Sequence, residues 1–232
     1  SVPAGKEGGH LNVIGGVRRL LRHAHVVHRI DEQTSGLMMV ALNETAQLHL
    51  KQQLFEHSIE RLYLAIVQGH PGQERWSRES ILVRNRGDGL RGTRPDDSSE
   101  EGKNAQTHFV LRESLGRTAS LVEARLETGR THQVRIHLAE CHHPVLGDPL
   151  YAHPRAQRAA HRLCLHAAVL AFDQPTTGER IRIEAPLADD MEQLRRSLMM
   201  EDKIRETDHS SHSRKKAKKR KSKKRKKPKK KR

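Results

Sequence analysis

The stretch AQTHFVLRESLGRTASLVEARL, residues 105–126, determines the fold class. Its two ends, AQTHFVL and ASLVEARL, are short segments rich in apolar residues, and polar residues with one glycine separate them. That pattern is typical of two strands joined by a turn. The stretch therefore predicts a meander, in which neighbouring strands run antiparallel.

Further strands are predicted on both sides of this meander. Along RLYLAIVQG, residues 61–69, successive side chains are expected to point to opposite faces, so Tyr63 lies on the face away from the leucines. RLCLHAAVLAF, residues 162–172, and RIRIEAP, residues 180–186, also have the composition of strands. The chain thus predicts a sheet of several strands.

Three helices are predicted between and after these strands. Asn43 is a favourable N-cap for a helix that runs to about Glu56 with apolar residues on one face. Thr131 is the predicted N-cap of a second helix inside ETGRTHQVRIHLAECHHP, residues 127–144. Residues 191–200 predict a third, amphipathic helix.

Residues 71–104 are polar and rich in glycine, proline and charge, which predicts a loop or a small hairpin. Arg84 and Arg86 lie in this segment beside a short apolar run. They could bind phosphates, or the segment could be a solvated surface insertion. The sequence leaves both readings open.

The basic charge of the chain is concentrated in residues 214–232. This segment holds sixteen Lys or Arg and no acid; removing them from the chain's 44 basic residues leaves 28, equal to its 28 acidic residues. The segment has almost nothing apolar to bury and repels itself, so it predicts a disordered tail. Such a tail would bind a polyanion such as RNA, with a solubilising or targeting role as the alternative.

The class of protein is narrowed by what the sequence lacks. No stretch approaches the ~18 consecutive apolar residues of a membrane helix, and two cysteines suit a reducing cytoplasm. A zinc site could be imagined from Cys141, His143, Cys164 and His166, but no metal-binding spacing supports it, and core or surface roles are favoured. We expect a soluble cytoplasmic protein without a metal site.

A single carboxylate stands out in HRIDEQTSGLMMVALN, residues 28–43. Asp31 lies on a predicted loop between a His-Arg pair and a Thr-Ser-Gly turn. In an enzyme such a group serves as a nucleophile, a general base, a metal ligand or an anchor for a cation. The residues alone equally fit an aspartate that caps a turn.

Residues 130–137 and Tyr63 are two further candidates for a functional site. Residues 130–137 contain Arg130, His132, Arg135 and His137 at a glycine turn and the start of a helix. This arrangement can bind phosphate or hold a carboxylate ionised, or it can be a solvated basic face. Tyr63 can pack in the core or serve as a stacking platform for a base.

These motifs together resemble the RluA-type pseudouridine synthases. HRIDEQTSGLMMVAL resembles the catalytic motif of that family, with Ile30 where Leu is usual. RLYLAIVQG is similar to its tyrosine-containing strand, ETGRTHQVRIHLAECHHPVLGDPLY to its third signature, and RLCLHAAVLAF to its closing strand. The similarity extends from about residue 1 to residue 187 in the family's order.

The resemblance implies an α+β fold. It predicts a single catalytic domain, residues 1–200, built on a mixed, mostly antiparallel bent sheet flanked by helices. SVPAG, residues 1–5, resembles the segment after the family's first strand, so we expect that strand to be missing. A linker over 201–213 would then join the domain to the tail, which has no counterpart in the family pattern.

The resemblance also implies the activity. It predicts a monomeric, cofactor-free enzyme that isomerises specific uridines in rRNA or tRNA to pseudouridine. Asp31 is implied as the nucleophile, Arg135 as its counter-ion, and Tyr63 as the ring that stacks on uracil. Arg29 and Arg130 are candidate phosphate contacts. The alternative is a non-catalytic RNA-binding or ribosome-assembly protein on the same scaffold.

Overall fold

The structure, a computed structural model, describes residues 16, 17, 19, 21 and 23–200. The predicted linker and basic tail, residues 201–232, lie outside the described residues, as does the segment tied to the missing first strand. The predicted domain boundaries therefore stay predictions.

Ten strands form the framework. In chain order they are β1 His25–Val26, β2 Ser35–Gly36, β3 Val40–Ala41, β4 Glu60–Gln68, β5 Arg75–Val83, β6 Gly92–Thr93, β7 Lys103–Leu115, β8 Ala119–Leu126, β9 Leu165–Asp173 and β10 Arg180–Glu184. The main sheet has the spatial order β10-β9-β4-β8-β7-β5-β6, and all of these neighbours are antiparallel. β2 pairs parallel with β9, while β1 and β3 form a separate antiparallel pair.

The predicted meander is confirmed. β7 and β8 pair from Thr107 opposite Leu126 to Leu115 opposite Ala119, with one irregularity in register between Leu111 and Glu113. The mixed, mostly antiparallel sheet is likewise the one that the family resemblance implied.

β4 lies at the centre of the sheet, between β8 and β9, and is buried on both faces. Tyr63 and Ala65 belong to the main core, whereas Leu62 packs with Val169 in a smaller cluster on the opposite face. The predicted alternation is thus followed from Leu62 to Ala65, whereas Ile66, predicted on the face of the leucines, belongs to the same core cluster as Tyr63. Its central place explains why both faces are apolar.

The loop predicted over residues 71–104 is wrong for its first part, because Arg75–Val83 forms a nine-residue strand paired with β7. Only the short pairing of β5 with β6 matches the predicted small hairpin. In the first seven residues of β5, half-buried residues alternate with exposed ones, so this strand lacks the continuous apolar run of a central strand. Trp76 stacks on Phe109 at 5.1 Å and marks its inward face.

Within residues 23–200 four helices flank the sheet: α1 Glu44–Phe55, α2 Gln133–Glu140, α3 Pro154–Gln157 and α4 over residues 189–200. The Asn43 side chain caps α1 by accepting a hydrogen bond from the Ala46 amide at 2.8 Å, as predicted. α4 matches the predicted C-terminal helix.

The predicted N-cap of α2 is wrong. The residue before this helix is His132, which has a left-handed backbone with φ of 61° and makes no side-chain cap bond. The buried amide of Gln133 organises the turn instead. Its oxygen accepts from the Arg130 amide and the Thr128 hydroxyl, and its nitrogen donates to Thr107 and the Gln106 carbonyl. An amide that both donates and accepts can tie the turn to β7, which a lone Thr hydroxyl at position 131 could not do.

Candidate active site

One cleft of about 550 Å³ opens where four parts of the fold converge. The loop before β2 forms one wall, the end of α1 forms the rim, β4 and the end of β8 form the floor, and the turn into α2 closes the other wall. Asp31 and Tyr63 both line this cleft, as do Arg29 and Arg130. The fold therefore brings together residues from three separate sequence motifs.

The loop that carries Asp31 is held by backbone and side-chain hydrogen bonds. The Asp31 carbonyl accepts from the Thr34 amide at 3.1 Å, closing a turn in which Gln33 has a φ of 67°. His28 Nε2 accepts from the Met39 amide at 3.0 Å. Burial, reinforced by the charge of Arg61, lowers the pKa of His28 to about 4, so this ring is neutral and shapes the loop.

Asp31 meets the arginine that the resemblance assigned to it. Arg135 Nη1 lies 3.5 Å from Asp31 Oδ2, and the two side chains are 5% and 19% exposed. The carboxylate thus remains accessible from the cleft while its counter-ion is buried behind it. At this distance the Arg135 guanidinium serves as the counter-ion of the Asp31 carboxylate.

Arg135 is fixed by a second carboxylate that sequence reasoning missed. Asp148 is fully buried and binds Arg135 bidentately, with Nε to Oδ2 at 2.8 Å and Nη2 to Oδ1 at 2.7 Å. Asp148 also accepts from the amides of Leu150 and Tyr151. Burial lowers the pKa of Arg135, but the hydrogen bonds and charge of Asp148, with the charge of Asp31, raise it overall.

Tyr151 completes this wall of the site. Arg135 Cζ lies 5.1 Å from the centre of its ring, which is within cation–π range. The Tyr151 hydroxyl lies 2.9 Å from His132 Nδ1, the residue with the left-handed backbone before α2. Burial raises the pKa of Tyr151 to about 12, so the phenol is neutral.

Tyr63 lies in the floor of the cleft and is 9% exposed. On the side of β4 that faces β9, the register shifts between Leu62 and Tyr63, so an irregularity in the sheet sets the position of the ring. Burial raises the pKa of Tyr63 to about 12. The phenol is therefore neutral at neutral pH and presents an uncharged aromatic surface.

The predicted RNA-contact arginines divide into two groups. Arg29 and Arg130 are exposed, line the cleft and form no salt bridge within residues 23–200. Arg84 and Arg86 do not line it; they lie at the end of β5 and in the hairpin after it. There Arg86 is bound to Asp88 at 2.9 Å.

Arg61 and Phe55, like Asp148 and Tyr151, were not predicted as site residues. Arg61 is a buried cation in the cleft floor, and Phe55 is 78% exposed at the rim. Asp148 and Tyr151 belong to GDPLY, the end of the third motif, so the resemblance contained a signal for them. Arg61 lies two residues before Tyr63, a spacing that points both to the same face of β4. Nothing in the sequence singles out Phe55.

The geometry of the described residues does not support the zinc site considered from the sequence. In the described part of the chain no three His, Cys, Asp or Glu side chains are grouped as metal ligands. His143 Nδ1 instead pairs with the Gln68 carbonyl, and His166 Nδ1 pairs with the Ser35 hydroxyl. Nor does any helix of the described residues combine the length and apolar character of a membrane span.

Comparison with known proteins agrees with this geometry. Residues 18–140 match the sequence model of the family described as RNA pseudouridylate synthase. The structure superposes on human RNA pseudouridylate synthase domain containing 1 with a TM-score of 0.66 and 27% sequence identity, covering 80% of this chain and 84% of that one. A second human structure, domain containing 4, shares the fold with a TM-score of 0.64 at 20% identity, covering 79% of this chain and 80% of that chain.

Bacterial relatives are closer in sequence. The chain is 40% identical to the uncharacterized RNA pseudouridine synthase YlyB of Bacillus subtilis, over 80% of this chain and 59% of that protein. It is also 40% identical to the ribosomal large subunit pseudouridine synthase D of Zymomonas mobilis, over 84% of this chain and 61% of that protein. The match thus spans about three fifths of each relative's length. The chain belongs to the RNA pseudouridylate synthase family, of the RluA type.

Proposed function

We propose that this protein isomerises uridine in RNA to pseudouridine. The observation that carries the proposal is the contact between Asp31 and the buried Arg135 in a cleft that also holds Tyr63. The reaction breaks the bond between ribose C1′ and uracil N1 and forms a bond from C1′ to C5. N1 gains a proton and C5 loses one, so no redox or metal cofactor is needed.

Asp31 is the proposed nucleophile. Its carboxylate faces the cleft and attacks the ribose or the uracil ring, or stabilises the separated fragments. Arg135 supplies the compensating charge, and because Asp148 holds two of its nitrogens, the third is directed at Asp31. The planar guanidinium fixes the orientation of both carboxylates, which a lysine could not do.

Tyr63 is proposed to stack on the uracil ring. A neutral, buried ring in the cleft floor suits a base that has left its helical stack. We also propose that its hydroxyl relays the C5 proton, accepting that proton as its own leaves to solvent. Because the target must leave its stack to enter the cleft, a loop or bulge uridine is the preferred substrate.

RNA contacts are proposed for the surfaces around the cleft. Arg29 and Arg130 are cations without ion-pair partners in the described part of the chain, and the exposed ring of Phe55 offers a platform for a neighbouring base. Arg84 and Arg86 would contact phosphates farther from the target. The basic tail would add salt-dependent affinity that is independent of sequence.

The wider assignment is also a proposal. The Zymomonas mobilis relative is named for the ribosomal large subunit. We infer that this protein acts on rRNA or tRNA in the cytoplasm, as a monomer, through a catalytic domain over residues 1–200. Reaching a specific uridine would depend on the variable segment 71–104 and on the tail.

Replacement of Asp31 tests the proposal. Asp31→Asn should lower pseudouridine formation on a transcript by a factor on the order of 10⁴ or more, because the nucleophile is removed while the shape is kept. RNA binding should persist. Glu32→Gln, the same charge change one residue along, is the control and should retain activity.

Two results would overturn the assignment. Substantial turnover by Asp31→Asn would remove the nucleophilic role from this residue. RNA binding by the wild-type protein without any pseudouridine in its bound RNA would favour the non-catalytic alternative, an RNA-binding or ribosome-assembly protein.

A further inference from the structure

Arg61 is a buried cation without a counter-ion. It lies on β4 in the floor of the cleft and is 8% exposed. Among residues 23–200 it takes part in no salt bridge, although the other buried arginine, Arg135, has two. Burying an unpaired charge is unfavourable, so a fold retains one where something else compensates for it.

The hydrogen bonds of Arg61 are also incomplete. Nη2 donates to the Glu127 carbonyl at 2.8 Å, but Nε is buried and finds no acceptor in the described part of the chain. Nη1 lies against Gly129, where a Cβ atom would come within 2.3 Å of it. A guanidinium has five N–H donors, so besides the single Nη2 bond and the enclosed Nε there are three further donors on Nη1 and Nη2.

The surroundings of Arg61 are electropositive. Burial lowers its pKa, and the charge of Arg130 lowers it further, while only the phenol of Tyr63 acts in the opposite direction. Among the described residues that line the cleft, Asp31 is the one acidic residue, and it is in contact with Arg135. The cleft thus holds more positive charge than its own residues neutralise.

We infer that Arg61, together with Arg130, forms a phosphate subsite that takes the phosphodiester adjacent to the target uridine. The inference rests on the proposed function, because a nucleotide in this cleft brings its own backbone phosphate with it. A phosphate oxygen would accept the free donors of Arg61 and neutralise its charge. Such charge-assisted bonds are strongest where water is excluded.

Gly129 supports this reading. It stands between β8 and α2, and any side chain there would press on the Arg61 guanidinium. The absence of a side chain leaves room for the Arg61 guanidinium at this edge of the cleft, and the next residue, Arg130, supplies the second cation. The exposed Phe55 ring lies at the rim of the same cleft, where a flanking base would emerge.

The test measures binding rather than turnover. Arg61→Met and the control Arg117→Met are prepared in the Asp31→Asn background and titrated with a short RNA stem-loop that carries one unpaired uridine. Arg117 lies in the turn between β7 and β8, at the end of β8 away from the cleft. Arg61→Met should weaken binding about tenfold and make the salt dependence shallower by about one phosphate contact, whereas Arg117→Met should not.

A neutral linkage identifies the phosphate. Replacing single phosphodiesters beside the uridine by methylphosphonates should weaken binding at one position for the parent protein and have little further effect on Arg61→Met. Such non-additivity is expected when the two changes remove the same contact. Because these titrations measure binding and not turnover, failure here is separate from failure of the proposed catalysis.

Two further measurements, thermal unfolding without RNA and protection by inorganic phosphate, give the results that would overturn the inference. The midpoint of thermal unfolding of Arg61→Met without RNA should be unchanged or higher, since an uncompensated buried charge has been removed. A lower midpoint with unchanged RNA affinity would make Arg61 a structural residue and overturn the inference. Protection by inorganic phosphate that depends on Arg61, without any effect on RNA binding, would show a free-anion site and also overturn it.

Discussion

Two buried arginines are treated in opposite ways by the fold: Arg61 lines the cleft, and Arg135 contacts Asp31, which lines it. Arg135 has Asp148 as a bidentate partner, Asp31 at 3.5 Å and the Tyr151 ring beside it. Arg61 has one backbone carbonyl and a buried nitrogen without an acceptor among the described residues. We call Arg135 with Asp148, Asp31 and Tyr151 the paired wall, and we call Arg61 in the floor of the cleft the unpaired floor.

The two arginines therefore differ in when their charge is compensated. Arg135 is held by carboxylates before any ligand binds, whereas Arg61 is left for a ligand to neutralise. On the paired wall Asp148 holds two nitrogens of Arg135 and the third lies at Asp31. In the proposed reaction, Asp31 would therefore meet the substrate with its counter-ion already in place. On the unpaired floor the positive charge of Arg61 has no acidic partner among the described residues until an anion binds. The protein therefore holds an unfavourable charge in the free state that RNA would neutralise.

The largest effect is expected from breaking the paired wall. Asp148→Asn keeps the shape of the side chain but leaves Arg135 buried without a bidentate anion. The free energy of unfolding should fall by about 3 to 5 kcal/mol, the usual consequence of removing one partner of a buried ion pair. Turnover should fall as well, because Arg135 is no longer held against Asp31. Chemical denaturation measures the first effect and pseudouridine formation the second.

The control for this change is Asp88→Asn. Asp88 also accepts two nitrogens of one arginine, Arg86, but on an exposed hairpin. Its loss should leave the denaturation midpoint unchanged, because exposed pairs contribute little. Equal effects of the two substitutions would contradict the importance given to burial on the paired wall.

Lowering the pH is expected to destabilise the fold through two buried histidines, His28 and His137. Burial lowers the pKa of His28, on the cleft wall beside Arg61, to about 4, and that of His137, in α2, to about 4. The unfolded chain, with His near 6.5, binds more protons than the folded chain between these values. Stability should therefore fall as pH drops from about 6.5 to about 4, by about 3 kcal/mol for the fully buried His137 alone.

Denaturation at several pH values checks this expectation. His137→Gln should remove part of the pH dependence. Because Arg61 also depresses the pKa of His28, Arg61→Met should raise that pKa toward 6.5 in an NMR titration. An unchanged pKa of His28 in this variant would show that the charge of Arg61 does not affect the His28 ring.

The sequence predicted the strands that carry a continuous or alternating apolar pattern. The meander of β7 and β8, the central strand β4 and the helix capped by Asn43 all follow from local patterns. β5 was missed because, of the half-buried residues in its first seven positions, Trp76 is apolar but Arg78 and Ser80 are polar, so no apolar alternation shows in the sequence. The cap of α2 was misplaced because Gln133, with bonds to β7, organises that turn.

The site was predictable to the extent that motifs carry it. Asp31, Tyr63 and Arg135 came from the family resemblance, and the structure places all three at one cleft. Asp148 is 13 residues from Arg135, and no helical or strand period connects the two. Arg61 was invisible for another reason: its significance is the absence of a partner, which only the packed structure reveals.

The smallest effect is expected from Tyr151, at the edge of the paired wall. Tyr151→Phe keeps the ring beside Arg135 and removes the hydroxyl that contacts His132 Nδ1 at 2.9 Å. Loss of this hydrogen bond should lower the free energy of unfolding by about 1 kcal/mol and turnover by a few fold. Tyr151→Leu also removes the cation–π contact and should have the larger effect on turnover. If both variants behave alike, the hydroxyl and its bond to the left-handed His132 determine the position of Arg135; if only Tyr151→Leu is impaired, the ring does.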